Sequence, residues 1–137
     1  MELDLTAVKA AFGHFSGETA DEEGADREAL CAALCTQCAR QIQGQLRAGL
    51  SETEFSQWKS SLEELAGAEA FYQLLLTEEA VTPASLAAGD LKLTEGGRSE
   101  KAALLAGEKR RAASPALMET AFYFGSVGKE EPDVSEE

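Results

Sequence analysis

The sequence predicts a mainly α fold, a small helical bundle of about four helices with one short strand or hairpin arm between the third and fourth helices. Three observations lead there. Apolar residues recur at spacings of three and four through most of the chain, Gly, Ser and Asp signals punctuate the periodic stretches, and only around Leu91 does the period shorten to two.

The opening stretch places Leu3, Leu5, Val8, Ala11, Phe12 and Phe15 on one side of a short amphipathic helix, closed by Gly13, Ser16 and Gly17. A second helix is expected from Asp26, whose carboxylate suits the first free backbone amides, to about Arg47. Leu30, Cys31, Leu34, Cys35, Cys38, Ile42 and Leu46 form its apolar stripe. Gly49 breaks the chain, and Ser51 with Glu54 makes a capping box for a third helix. Phe55, Trp58, Leu62, Leu65, Tyr72 and Leu76 recur along one side of it, with Glu63, Glu64 and Glu69 off that stripe or at its border. Ala66, Gly67, Ala68 and Ala70 are small enough to admit another helix at close range.

Between Thr77 and Gly97 the helical period is lost, Pro83 forbids a regular helix interior, and Leu91, Lys92, Leu93 and Thr94 alternate as in a strand. A strand there must fold back on itself or pair with a neighbour. A fourth helix follows from about Ser99 through Arg111, with Pro115 kinking it or opening a last turn with Leu117 and Met118. The run Phe122, Tyr123, Phe124 cannot all face one core, so at least one of these rings is expected to meet a partner. Residues 1–128 are expected to form one domain, and 129–137, with five acids and Pro132, a disordered acidic tail.

The 137 residues carry 12 Lys and Arg against 25 Asp and Glu, a formal charge of −13. That balance disfavours phosphate-backbone binding and favours solubility or a basic partner, so no sequence-specific nucleic-acid binding is expected. The charge is uneven. Lys92, Arg98, Lys101, Lys109, Arg110 and Arg111 crowd residues 92–111, and this basic stretch either forms a solvated face or meets an acidic surface. No apolar run has the roughly 20 residues of a membrane span, and Glu2 and Asp4 stand where a secretory signal carries bases, so a cytoplasmic protein without a membrane is expected.

Catalytic patterns are scarce, and the expectation is a protein that is not an enzyme and has no cofactor. Cys31, Cys35 and Cys38 spell C-x3-C-x2-C, the spacing with which radical S-adenosylmethionine enzymes hold a cluster. On a helix, however, offsets of four and seven put all three sulfurs on the face of Leu34 and Ile42, where cysteine serves as a small buried hydrophobe. His14 is the sole histidine, in a separate segment, and reads as a partly exposed structural residue; Gly96 and Gly97 are followed by Arg98 and Ser99 without the lysine of a phosphate-binding loop.

The order of features in the second half resembles a family of prophage proteins related to the head–tail connector, or head-completion and neck adaptor, proteins of tailed phages. The residues that carry the resemblance are Ala66 to Leu76 (AGAEAFYQLLL), Leu86 to Gly97 (LAAGDLKLTEGG) and Ser114 to Val127 (SPALMETAFYFGSV), with Gly89 to Thr94 as its strongest block. Leu86 stands where the family usually carries an aromatic residue. The resemblance implies a helical subunit of a ring below the portal, with the portal protein and other neck or tail proteins as partners. It also implies residence in the bacterial cytoplasm during assembly and in the virion neck afterwards. The subunit contact it points to comprises Leu91, Lys92, Leu93, Thr94, Arg98 and Phe124, with the strand closing the ring by edge pairing. A second reading is an acidic protein-binding adaptor or DNA-mimic inhibitor, for which carboxylates must be spaced like phosphates along one face. A metal or redox role for the three cysteines is the third.

Overall fold

The computed structural model describes residues 1–81 and 90–118, with side chains for 1–80 and 98–118. Four helices make up most of that structure: α1 (Leu5–Ser16), α2 (Asp26–Gly44), α3 (Glu52–Val81) and α4 (Asp90–Ala112), followed by a 3-10 turn at Ser114–Ala116. At 30 residues, α3 is about 45 Å long and is the axis of the bundle. It packs against α1, α2 and α4, and α1 also touches α2. The mainly α compact bundle is the fold read from the sequence.

The core is a layer of aliphatic and small side chains around α3. Phe12 and Val8 enter from α1, Cys31, Cys35, Cys38 and Ile42 from α2, and Leu62, Leu65 and Leu74 from α3, all with almost no exposed surface. Alpha3 is covered on several sides, so its buried residues do not follow the single predicted stripe. Leu74 and Leu75 are fully buried, while Trp58, Tyr72 and Leu76 remain half-buried.

The small residues of α3 lie where α1 crosses it. A Cβ on Gly67 would stand 2.8 Å from Ala11 Cβ and 2.8 Å from the Phe12 backbone nitrogen. Ala66, Ala68 and Ala70 are buried around that crossing. The approach fixes the chain's opening residues as well. The Leu3 N–H donates to Gln43 Oε1 of α2 at 2.8 Å, and the Asp4 N–H donates to Glu63 Oε2 of α3 at 2.7 Å. Glu63, expected off the apolar stripe, is therefore buried, and it is held there by a charge-assisted bond.

Helix ends follow local chemistry. Asp4 caps α1 by accepting from the Thr6 N–H at 3.0 Å, and Gly17 closes it in the left-handed region at φ +77°. The Glu54 N–H donates to Ser51 Oγ and the Ser51 N–H to Glu54 Oε1, both at 3.1 Å, completing the capping box at the start of α3. Asp26 is not the cap of α2. Ala25 holds that position, with its N–H bonded to Glu28 Oε1 at 2.9 Å, so the longer carboxylate three residues on does the capping work.

The second helix stops at Gly44 rather than near Arg47 because the chain turns there to meet the segment after α4. Leu46 and Leu117 form an antiparallel bridge, with Arg47 N–H to Ala116 carbonyl at 3.0 Å and Met118 N–H to Gln45 carbonyl at 2.9 Å. Arg47 Nε also donates to the Pro115 carbonyl at 2.8 Å. Leu30 departs from the predicted stripe: it is 37% exposed.

The strand expected at Leu91, Lys92, Leu93 and Thr94 is unconfirmed. Backbone from Asp90 onward belongs to α4, and the rest of the expected arm over residues 82–89 lies outside the described residues, as do Phe122 to Phe124 and the acidic tail.

The crossing at Gly67 yields a stability prediction. Gly67→Val should cost roughly 1 to 3 kcal/mol in urea unfolding, because the contacted atoms include backbone that cannot swing aside. Gly44→Ala, where nothing lies within 4 Å of the added methyl, should leave stability unchanged or raised.

Candidate functional site

The chemistry-bearing side chains divide between the core and three surface regions. The cysteines belong to the core. Cys31, Cys35 and Cys38 are free and buried within the main apolar cluster. Desolvation pushes the thiols of Cys35 and Cys38 up to about 12 and raises that of Cys31. A thiol so protonated is a poor nucleophile and a poor metal ligand. His14, by contrast, is exposed on α1, so the lone imidazole and the thiols occupy different environments.

The first surface region is the connection between α1 and α2. Asp21, Glu22, Glu23 and Asp26 are exposed there, beside the half-buried Glu18 and Glu28. Arg27 bridges this acidic corner to α3 by bonding both Glu18, at 3.0 Å, and Glu78. The hydrogen bond from Arg27 holds the Glu18 carboxyl below the usual carboxylate range, and the charges of Arg27 and Arg98 add to that effect.

The second region is the C-terminal end of α4, where two bases of the predicted stretch, Lys109 and Arg110, are paired inside the chain. Lys109 Nζ bonds Glu64 at 3.1 Å and lies 5.6 Å above the Phe15 ring. Arg110 reaches Glu69 at 3.3 Å and Gln45 at 2.9 Å. Glu64 and Glu69, expected off the α3 stripe or at its border, are thus acids that receive α4. Among the predicted contact residues, Arg98 is exposed; the side chains of Leu91, Lys92, Leu93 and Thr94, and all of Phe124, lie outside the described residues.

The third region comprises two open grooves. One, of about 450 Å³, runs between α1 and α3, floored by Ala7, Ala10 and Ala11 and edged by His14, Glu63, Glu64 and Lys109. Its charged groups are already engaged: Glu63 with Asp4, and Glu64 with Lys109. The other, of about 510 Å³, lies on the outer face of α2 between Glu22 and the residues Ala29, Ala33, Thr36, Gln37 and Arg40. Sequence reasoning gave this face no role, and its signal was the run of small and polar residues at helical spacing opposite the cysteines.

Among the described residues no cluster of three or more His, Cys, Asp or Glu has metal-binding geometry, and no helix is long and apolar enough to cross a membrane. No protein family, no curated protein and no solved structure matches the chain.

Burial of the thiols sets a testable pH dependence. A thiol whose folded value lies above its unfolded one stabilises the fold below about pH 9 and loses that contribution as pH rises towards about 12. Equilibrium unfolding should therefore weaken across that window, and a Cys35→Ala, Cys38→Ala double variant should show a smaller slope there. Thiol labelling of the native protein at pH 8 should proceed only as fast as the chain opens.

Proposed function

We propose that the chain is a structural assembly protein of a tailed-phage neck, a head–tail connector subunit that forms or joins a ring below the portal. It works by occupying a place between partners and catalyses no reaction. The observation that carries the reading is the arrangement of the resembling blocks. Ala66 to Leu76 includes Gly67, where α1 crosses α3, and the described part of Ser114 to Val127 folds back onto the corner between α2 and α3. The residues of the resemblance thus include those that hold the bundle together.

Charge supports the same reading. The chain carries a net charge of −13, and among the described residues Glu2, Asp21, Glu22, Glu23, Asp26 and Glu52 are exposed carboxylates. An acidic wall repels DNA phosphates and lets a duplex pass without sticking. The acidic corner at Asp21, Glu22, Glu23 and Asp26 favours a second reading, an adaptor or DNA mimic that occupies a basic groove.

Quantitative mass spectrometry of purified, DNA-filled particles separates the two. The connector reading expects this protein in a fixed ratio to the portal protein, typical of a ring. Absence from such particles would sink it, and competition with DNA for a basic protein would then support the mimic.

A further inference from the structure

We propose that copies of this chain associate head to tail, with α4 of one copy lying antiparallel across the outer face of α2 of the next and Leu104 seated in the groove there. The inference deepens the connector reading but rests on separate observations, those of the surface itself. Leu104 is the most exposed large apolar side chain among the described residues, at 70%. Around it on the outer side of α4 stand Glu100, Gly107 and Arg111, all exposed. The outer face of α2 offers the complement: a depression of about 510 Å³ lined by Ala29, Ala33 and Thr36, with exposed Asp26 at one end and Arg40 at the other. Both helices pack on α3 without substantial packing on each other, so each leaves its outer face to a neighbour.

The register fits. If Leu104 lies opposite Ala33, then Arg111, seven residues on, lies opposite Asp26, seven residues back, because both steps cover about 10.5 Å of helix axis. At the other end Glu100 lies opposite Gln37, one turn from Arg40 and within reach of its long side chain. Gly107 then falls opposite the exposed Leu30, and Ala29 opposite Glu108, so that each larger side chain meets a residue of little bulk. Against these stand Glu108, which approaches Asp26 with Arg111 beside both, Glu22 at the edge of the groove, and Arg98 and Lys101, which approach Arg40 with Glu100 between them. Because the two faces differ, the contact is heterologous and propagates from copy to copy, closing in a ring where the rotation between copies allows it.

Sedimentation velocity on the full chain over a wide concentration range tests the contact. The wild type should self-associate. Leu104→Glu, at a site too exposed to disturb the fold, should weaken that association by at least about tenfold while leaving the circular dichroism spectrum unchanged. Arg111→Asp should weaken it too, and Asp26→Arg in the same chain should restore it. A wild type monomeric throughout, or a Leu104→Glu variant that associates like the wild type, overturns the proposal. A fixed copy number in particles together with either of those results would leave the connector reading standing on other contacts; association through this face by a protein missing from particles would do the reverse.

Discussion

The close crossing of α1 over α3 at Gly67 is the constraint from which much of this structure follows. A residue without a side chain lets the Phe12 backbone come within 2.8 Å of where a Cβ would stand, and that distance lets Phe12 and Val8 bury completely beside Leu62 and Leu65. It also brings the start of α1 to Gln43 and Glu63, so that backbone amides outside any helical ladder gain acceptors from two different helices. The carboxylate of Glu63 would be costly to bury alone. Its bond to Asp4 makes that burial part of the docking.

From this crossing the rest of the bundle arranges itself around a long central helix. The thiols of α2 suit such a packing because each is small, apolar and free of hydrogen-bonding demand in its protonated form. Alpha4 is anchored differently. Among its described side chains the buried ones are alanines, Ala102 and Ala106, with Ala113 just beyond its end, and the ion pairs of Lys109 and Arg110 and the return of the chain at Leu117 add to them. A helix end held by small residues and by charge leaves Leu104 on the outside.

What was legible in the sequence was what local rules control. The capping box at Ser51 and Glu54, the cysteine face of α2 and the small-residue window of α3 are each decided within a few residues, and each is found where the pattern puts it. Where distant segments compete, the reading fell short. Asp26 loses its cap to Glu28, the end of α2 is decided by Leu117 some seventy residues away, and Leu30 is turned outward. The basic stretch of α4 has a charge pattern that a neighbouring molecule and the chain's own α3 could equally satisfy, and sequence periodicity holds no term that tells these apart. Geometry does, by placing Glu64 and Glu69 within bonding distance.

Those internal pairs bear on how such a protein can associate at all. Two copies of a chain with a charge of −13 repel each other, and pairing two bases inside each copy leaves fewer cations to offset that repulsion across an interface. Repulsion between charges farther apart than about 8 Å is largely screened at physiological salt, whereas a pair in contact beside excluded apolar surface is screened much less. Contact between copies is therefore governed by a few well-placed groups rather than by the overall field. Arg40 and Arg111, exposed and with no ion pair among the described residues, are cations of the kind such an acidic protein needs, and Leu104 between Glu100 and Arg111 supplies the apolar surface that makes their placement count.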